Sequence, residues 1–289
     1  MVDVSVALQL GVQSFLLGSI YVLMAVGLNM IYGVMRGVNW AHGAFVMIGA
    51  YVAYWLFFFL GISPYVSAVI AALILAVVGL LTHDLLMKPF FGHRYFGPLA
   101  LVLTYGLGIL TVNVARVLWT DVLRGVNLGI SPFELGAITI SRPFLYGGVV
   151  ALIVSISFYL FLRGTRVGKA MRAVSENRRI ATLMGINPNN ASRIMWMVGA
   201  GMAGATGSML STIFAVTPEM GTILGLKAIT IVILGGLGSY AGAVVGGLMI
   251  GTTEVLGTFI LGARYQPLLY FISLIIVLSI RPTGIAGEK

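Results

Sequence analysis

Between residues 6 and 281 the sequence runs through nine apolar stretches, each close to the length a helix needs to cross a lipid bilayer. A hydrocarbon core of ~30 Å at ~1.5 Å rise per residue asks for ~20 residues. The stretches are 6–32, 38–60, 64–87, 97–118, 142–163, 193–216, 221–237, 241–262 and 265–281. The seventh is the weakest, so the count is about nine spans, or eight if 221–237 re-enters the side it came from. The fold class this predicts is all-α, a polytopic transmembrane helical bundle. No loop is long enough for a second domain, so 1–289 reads as one unit. Composition agrees, because 59% of residues are hydrophobic and only 9% charged, against about a quarter charged in soluble domains.

The formal net charge of +9 does not point to nucleic acid, because the cations sit in short loops and at the ends of apolar runs. Arg36, then Lys88, His93 and Arg94, then the stretch Arg163 to Arg193, then Arg281 and Lys289 fall on one side. The other side holds Asp3, the uncharged Gly61-Ile62-Ser63-Pro64 turn, a mixed loop from Thr120 to Ser141, and Glu219. Positive-inside topology therefore predicts an outside N-terminus and a cytoplasmic C-terminus, with Arg124, Arg142 and Arg264 as exceptions. The N-terminal MVDVSVALQLG carries an acid and no Lys or Arg, so it lacks the basic start of a signal peptide and reads as the mature start of the first span.

Two of the runs read as broken helices. After Ile31-Tyr32-Gly33 the chain passes through VMRGVNWAHGAFVMIGAY, which places Asn39, Trp40, His42 and Gly43 where a new apolar run begins. The run Met195 to Val216 ends in Thr217-Pro218-Glu219-Met220-Gly221, and another apolar run follows at once. Two such breaks on opposite sides are what an inverted-topology repeat gives, with about 11–110 matched to about 195–281. Freed backbone groups in a membrane need partners from protein or water, so both breaks are expected to face a cavity.

Gly238, Gly242 and Gly246 recur every four residues, as do Gly247 and Gly251, which puts each set on one helix face for close approach of a neighbour, within the subunit or across a dimer seam. Lys227 and Glu254 are the two intramembrane ions that most need a partner. Counting ~1.5 Å per residue, they lie at matching depths of ~9 and ~12 Å from the outer ends of their runs. They are expected to pair or to share a polar cavity, either as a structural ion pair or as a contact with a polar or zwitterionic solute. Asn39, His42, Thr217 and Glu219 at the breaks, with Lys227 and Glu254, are the candidate pathway residues.

No nucleophile, base and acid constellation occurs. There is no cysteine, and His42, His83 and His93 lie far apart, so no metal site is expected. His42 has no His or carboxylate within helical reach and reads as a side chain that bonds exposed backbone at the break.

The least apolar segment, Arg163 to Arg193, holds Arg163, Arg166, Lys169, Arg172, Arg178, Arg179 and Arg193 against one acid, Glu176. A helix is expected from Gly168 to Met184, stopped by Gly185 with Asn187-Pro188 beyond. Ala170, Ala173, Val174, Ala181 and Met184 would share one face, while Arg172, Glu176 and Arg179 have i, i+4 and i, i+3 spacing for pairing. On physical grounds this is a basic helix lying on anionic lipid or a helix docking a partner protein.

The segment GKAMRAVSENRRIATLMGINPNNASR closely resembles the cytoplasmic loop of permease subunits of branched-chain amino acid ABC importers, the LivH type. There a G-x-A-x-R-A segment followed by N-x-x-x-A-x-x-x-G-I-N forms the coupling region that docks on the ATPase. The matching residues are Gly168, Ala170, Arg172, Ala173, Asn177, Ala181, Gly185, Ile186 and Asn187, with Glu176 inside the matched segment. GLNMIYGVMRGVNWAHGAFVMIGAY fits the same family with Trp40 where Phe is usual, as do LKAITIVILGGLGSYAGAVVGG and the terminal RPTGIAG.

The resemblance implies a fold of the larger-bundle ABC importer type, with 163–193 as the cytoplasmic coupling loop. It implies a multi-pass permease of the bacterial inner membrane that moves branched-chain or other small hydrophobic amino acids by alternating access. Related permeases serve urea, short amides and aromatic acids. The implied partners are a second permease subunit (LivM-like) or a second copy, two cytoplasmic ATP-binding subunits and a periplasmic solute-binding protein. The chain has no phosphate-binding loop, G-x-x-x-x-G-K-[ST], so ATP and Mg belong to the partners and no cofactor to this chain. The alternative is an ion-coupled secondary transporter or channel with inverted repeats, which would use an intramembrane acid such as Glu254.

Overall fold

A computed structural model describes residues 4–136 and 138–287. Asp3 and Lys289, two of the charges used to orient the chain, lie outside the described residues. The helices are α1 (Val4–Met35), α2 (His42–Leu60), α3 (Pro64–Thr82), α4 (Phe96–Trp119), α5 (Arg142–Gly164), α6 (Arg166–Glu176), α7 (Arg178–Leu183), α8 (Pro188–Leu210), α9 (Glu219–Gly235), α10 (Tyr240–Leu261) and α11 (Gln266–Ile280). A π-helical turn, His83–Met87, and a short 3₁₀ turn, Lys88–Phe90, extend α3. The mixed loop after α4 contains a small antiparallel hairpin, β1 (Phe133–Leu135) and β2 (Ile138–Ile140), and with an isolated bridge between Arg124 and Val216 this is the β-structure among the described residues.

Seven of these helices are long and apolar enough to cross a membrane: α1, α2, α3 with its extension, α4, α5, α10, and α11 with the turn before it. The other two expected spans fall outside that class for different reasons. Helix α9 has only 17 residues, short of the ~20 that a bilayer core requires. Helix α8 is rich in Gly, Ala, Ser and Thr, and every residue from Gly199 to Leu210 is buried against protein. A helix wrapped by other helices has no need of lipid-grade side chains.

Helix α1 occupies the centre, with 89% of its most apolar window buried, while α11 lies at the periphery with 6%. Small residues set how the others close on α1. Gly18 faces Gly247 and Leu248 of α10, Val22 faces Gly247, and Asn29 reaches the turn before α10. On the other side α3 runs antiparallel to α8: Ser208 Oγ donates to the Pro64 carbonyl at 2.6 Å, Gly204 abuts Ala71, and Gly79 abuts Trp196.

Exchanging α1–α4 for α8–α11 turns the α3–α8 contact into the α10–α1 contact and the α2–α3 contact into α9–α10. It maps α1–α8 and α2–α9 onto themselves, and both of these pairs are antiparallel, with Gly27 against Gly199 and Gly43 against Gly225. This is the pairing pattern of an inverted repeat with the halves expected from the sequence.

Three details differ from expectation. The second break comes earlier: α8 ends at Leu210, the non-helical stretch is 211–218, and Glu219 to Gly221 are already helical. There Ser211 Oγ donates to the Ser208 carbonyl and Thr212 Oγ1 to the Met209 carbonyl, which fastens the side chains back onto the helix end. The loop helix does not run unbroken from Gly168 to Met184 but divides at Asn177, whose extended φ of −151° closes α6 and whose side chain caps α7. Gly238 is not on a helix face; it occupies the turn before α10 at φ +83°. Gly242 and Gly246 do pack as expected, against Gly235 and Ile231 of α9 within the same chain.

A β-carbon at Gly207 would collide with the backbone of Val46 and Ala50 in α2, whereas one at Gly106 meets nothing within 4 Å. Overpacking a helix seam costs about 1–3 kcal/mol. Gly207→Val is therefore expected to lower the melting temperature of the detergent-purified protein, and Gly106→Ala to leave it unchanged.

Candidate functional site

At the first break the chain leaves α1 at Met35, bends at Arg36 with φ +56°, and runs non-helically inward to Ala41. His42 Nε2 then lies 3.0 Å from the carbonyl of Met24, ~16 Å of helix back from Met35. The break therefore penetrates the bundle instead of lying on its surface. Thr104 of α4, fully buried, services it: Trp40 N donates to Thr104 Oγ1 at 3.0 Å, and that hydroxyl lies 3.1 Å from the Val38 carbonyl. The second break is serviced by the loop after α4, where Arg124 N donates to the Val216 carbonyl and Val216 N to the Arg124 carbonyl at 2.7 Å. Both breaks are thus backed by protein, as irregular backbone at membrane depth must be.

A cavity of about 270 Å³ lies where α2, α4 and α9 meet, between Trp40 of the first break and Glu219 just after the second. Its walls are Ala44, Gly108, Ile109, Val112, Gly221 and Gly225, with Tyr105 edge-on to Trp40 at 5.6 Å. Its polar rim is Asn113, Arg116, Glu219 and Thr222. Arg116 Nη2 stands 3.2 Å from Glu219 Oε2, its Nε 3.2 Å from Asp121 Oδ1, and its Nη1 donates to Asn113 Oδ1 at 3.1 Å. Helix α4 leads from the α6–α7 end of the bundle to the opposite end, so this rim lies far from that segment.

The two intramembrane ions do pair. Lys227 Nζ is 2.7 Å from Glu254 Oε2 and 2.7 Å from Tyr21 Oη, and the Tyr21 hydroxyl donates to the same carboxylate oxygen at 2.8 Å. Lys227 also faces the rings of Tyr21, Tyr270 and Phe214. All three members are buried at 3% exposure or less. The matched depths on α9 and α10 were legible as spacing; Tyr21 was not, because a Tyr in an apolar run carries no sign of which helix it will meet.

Asn39 and His42 are buried beside the first break, where neither amide atom of Asn39 nor Nδ1 of His42 has a partner among the described residues. Thr217 precedes α9, and its carbonyl accepts from Met220 N. Glu219 is therefore the one sequence-predicted pathway residue that lines the cavity, while Lys227 and Glu254 belong to a separate, enclosed cluster. In the sequence Arg116 reads only as an interface anchor, and Asn29 is one polar residue in an apolar run, a signal that passes unmarked. Asn29 is fully buried and holds the α9–α10 turn by donating to the Gly236 and Ser239 carbonyls and accepting from Gly238 N.

At the other end, α6 sits on the ends of α5 and α1. Thr165 caps it by accepting from Gly168 N, and a β-carbon at Gly168 would strike Phe161 and Leu162, so glycine is required for the contact. Arg172 Nε donates to the Leu162 carbonyl and Arg36 Nη2 to the Ser175 carbonyl, both at 3.2 Å. Of the expected face, Val174 and Ala181 are buried and Ala173 packs against the core, but Met184 points outward at 77% exposure, and Gly168 and Met171 are buried in addition. No ion pair joins Arg172, Glu176 and Arg179 among the described residues; Arg172 is occupied by backbone, and the division at Asn177 breaks the helical spacing. Gly185, at φ +80°, ends the segment, and Asn187 caps α8 by accepting from Asn189 N and Asn190 N. Ile180, Leu183 and Met184 stand exposed beside the cations of the loop.

Residues 11–278 match the family described as branched-chain amino acid transport system, permease component. The chain belongs to that family. It is 30% identical to BraD, the high-affinity branched-chain amino acid transport system permease protein of Pseudomonas aeruginosa, with 97% of this chain and 96% of that one covered. It is 32% identical to LivH of Escherichia coli over 94% of this chain and 92% of LivH. It is 24% identical to E. coli LivM over 92% of this chain and 67% of LivM. No solved structure matches it. The permease is accordingly a multi-pass membrane transport subunit, not an enzyme.

Removing one partner of a buried pair leaves an uncompensated charge and costs about 3–5 kcal/mol, whereas replacing both by apolar groups is often neutral. Lys227→Met is expected to destabilise the permease strongly, Lys227→Met with Glu254→Leu much less, and Tyr21→Phe by about 1.5–3 kcal/mol for one hydrogen bond to a charged group. Thermal unfolding of the wild type, Lys227→Met, Glu254→Leu and the double variant as a double-mutant cycle, with Tyr21→Phe beside them, measures this.

Proposed function

We propose that this chain is the membrane-spanning permease subunit of an ATP-binding-cassette importer for branched-chain or other small hydrophobic amino acids. It would work by alternating access, driven by two cytoplasmic ATPases. A second permease subunit resembling LivM, or a second copy, would complete the pathway, and a periplasmic binding protein would deliver the solute. The α6–α7 end is assigned to the cytoplasm and the Arg116–Glu219 rim to the outside, with the N-terminus outside and the C-terminus inside, in the inner membrane of a bacterium. ATP and Mg belong to the partner subunits.

The observation that carries the reading is the seating of 163–193. Helix α6 touches α1 of the first half and α8 of the second, while α7 also rests on α8. Outward it presents Ile180, Leu183 and Met184, at 58%, 80% and 77% exposure, with the exposed Arg179 next to Ile180 in sequence and Arg178 stacked on the Phe91 ring at 4.2 Å. An exposed apolar knob suits an apolar groove on a partner, and a push there reaches both halves. A second cavity of about 560 Å³, lined by Val34, Arg36, Arg172, Ser175, Tyr240 and Thr283 among others, opens beside α6 and would form the cytoplasmic end of the path. The unpaired amide of Asn39, buried at the first break, suits a segment that changes partners as the halves move, since a buried unmatched amide costs about 1–3 kcal/mol. An ion-coupled transporter is not favoured, because Glu254 is already matched by Lys227 in an enclosed site.

In the reconstituted complex, Leu183→Asp or Met184→Asp is expected to cut ATP-driven uptake at least tenfold with no loss of thermal stability, since both side chains are exposed. Accumulation of solute under an ion gradient by vesicles holding this chain alone would overturn the reading. Because the chain has no cysteine, orientation is checked by single substitutions at exposed positions. Ser131→Cys, in the loop after α4, is expected to react with an impermeant maleimide in intact spheroplasts, and Asn190→Cys only after lysis.

A further inference from the structure

We propose that the cavity between α2, α4 and α9 binds a small apolar amino acid as its zwitterion, Arg116 taking the carboxylate and Glu219 the ammonium. This rests on the permease reading above and adds a binding site to it.

Four observations converge. The first is chemical: opposite charges from different helices stand side by side at one rim, Arg116 Nη2 and Glu219 Oε2 being 3.2 Å apart. A zwitterion presents the complementary pair on a single carbon and would replace that contact with two of its own.

The second observation concerns exchange. Arg116 and Glu219 are 41% and 56% exposed, so solvent screens their contact and it is readily surrendered. The guanidinium would nevertheless stay in place, because Asn113 and Asp121 hold its Nη1 and Nε at 3.1 and 3.2 Å. One arginine also faces two carboxylates there, Glu219 and Asp121, which leaves a carboxylate free for an ammonium. Lys227 and Glu254 offer the same two charges, but they are buried at 3% and 2% and line no described cavity.

Size is the third. About 270 Å³ falls just below the roughly 300–1,000 Å³ of pockets for drug-sized ligands, which suits a smaller solute. Beneath the charged rim, Trp40, Ala44, Tyr105, Ile109 and Val112 supply an apolar wall for its side chain.

The fourth is that two of the lining glycines are not imposed by packing. A β-carbon at Gly108 would meet Ala41 at 3.5 Å, and one at Gly225 would meet Gly43 at 3.6 Å, both ordinary contact distances. Both lie in regular helix, so no unusual backbone angle requires them either. A side chain at either position would fit against Trp40, Ala41 or Gly43 and take up room beside the cavity that glycine leaves.

The test is direct binding of radiolabelled leucine to the purified complex of this permease with its partner permease and ATPases, without the binding protein. Competitors are 4-methyl-2-oxopentanoate, which lacks the ammonium, and isopentylamine, which lacks the carboxylate. In the wild type both are expected to compete at least tenfold more weakly than leucine. Glu219→Gln is expected to abolish the advantage of leucine over the oxo acid, and Arg116→Gln its advantage over the amine. Gly225→Val, a steric change that touches neither charge, is expected to lower leucine binding tenfold while sparing alanine. If the substitutions weaken all three ligands equally, or leave leucine binding intact, the proposal fails. ATP-driven leucine uptake by the wild-type complex in proteoliposomes supplied with the binding protein is the separate control: its presence with either of those results sinks the site alone, and its absence sinks the permease reading.

Discussion

Hydrocarbon offers no hydrogen bonds, and the rest of the structure depends on how this chain meets that constraint at two places where it abandons the helix. Non-helical backbone from Arg36 to Ala41 runs deep into the bundle, and each exposed peptide group there would cost several kcal/mol in lipid. Thr104 meets the demand at the first break and Arg124 at the second, both supplied by α4 or the loop that follows it. The same helix lines the cavity between the breaks. The element that makes irregular backbone tolerable is therefore also the one that bounds the space the irregularity opens.

Close packing follows from a second consequence of lipid. Without a hydrophobic force between helices, association relies on backbone approach and shape. Glycine meets glycine or bare backbone at Gly18 with Gly251, Gly27 with Gly199, Gly43 with Gly225 and Gly235 with Gly242. These seams join α1 to α10 and α8, and α9 to α2 and α10. When the two halves are swapped, α1–α8 and α2–α9 map onto themselves, α1–α10 exchanges with α3–α8 and α9–α10 with α2–α3, so the repeat is written into where small residues fall.

What was legible in the sequence was whatever depends on distance along a single helix. Apolar run length placed the helices, the insertion of Asn39, Trp40 and His42 located a break, and equal depths brought Lys227 to Glu254. Features decided by a neighbour were not legible. Tyr21 joins the ion pair only because α1 is central, Thr104 matters only because α4 crosses the break, and Gly238 left its helix because the turn it shares with Gly236 is held by Asn29. Asn177 is intermediate: its side chain competes with the backbone for the helix it interrupts, a tendency of the residue type, yet a helix through it also satisfied the local pattern. Arg172 failed to pair as its spacing suggested because a carbonyl of α5 claimed it first.

Two acid–base pairs in one chain, with nearly the same separation, show how environment assigns their roles. Lys227 and Glu254 are enclosed by aromatic rings and share a tyrosine hydroxyl, so releasing either would strand a charge in a dry interior. Such a pair is locked, and it ties α9 and α10 to α1. Arg116 and Glu219 stand at an exposed rim, where separation costs less because Asn113 and Asp121 also hold the guanidinium. The distance alone, 2.7 Å in one case and 3.2 Å in the other, would rank both as salt bridges. Burial separates them: the inner pair fixes α9, one wall of the cavity, to α10 and α1, and the outer pair holds nothing that a solute of matching charge would not hold as well.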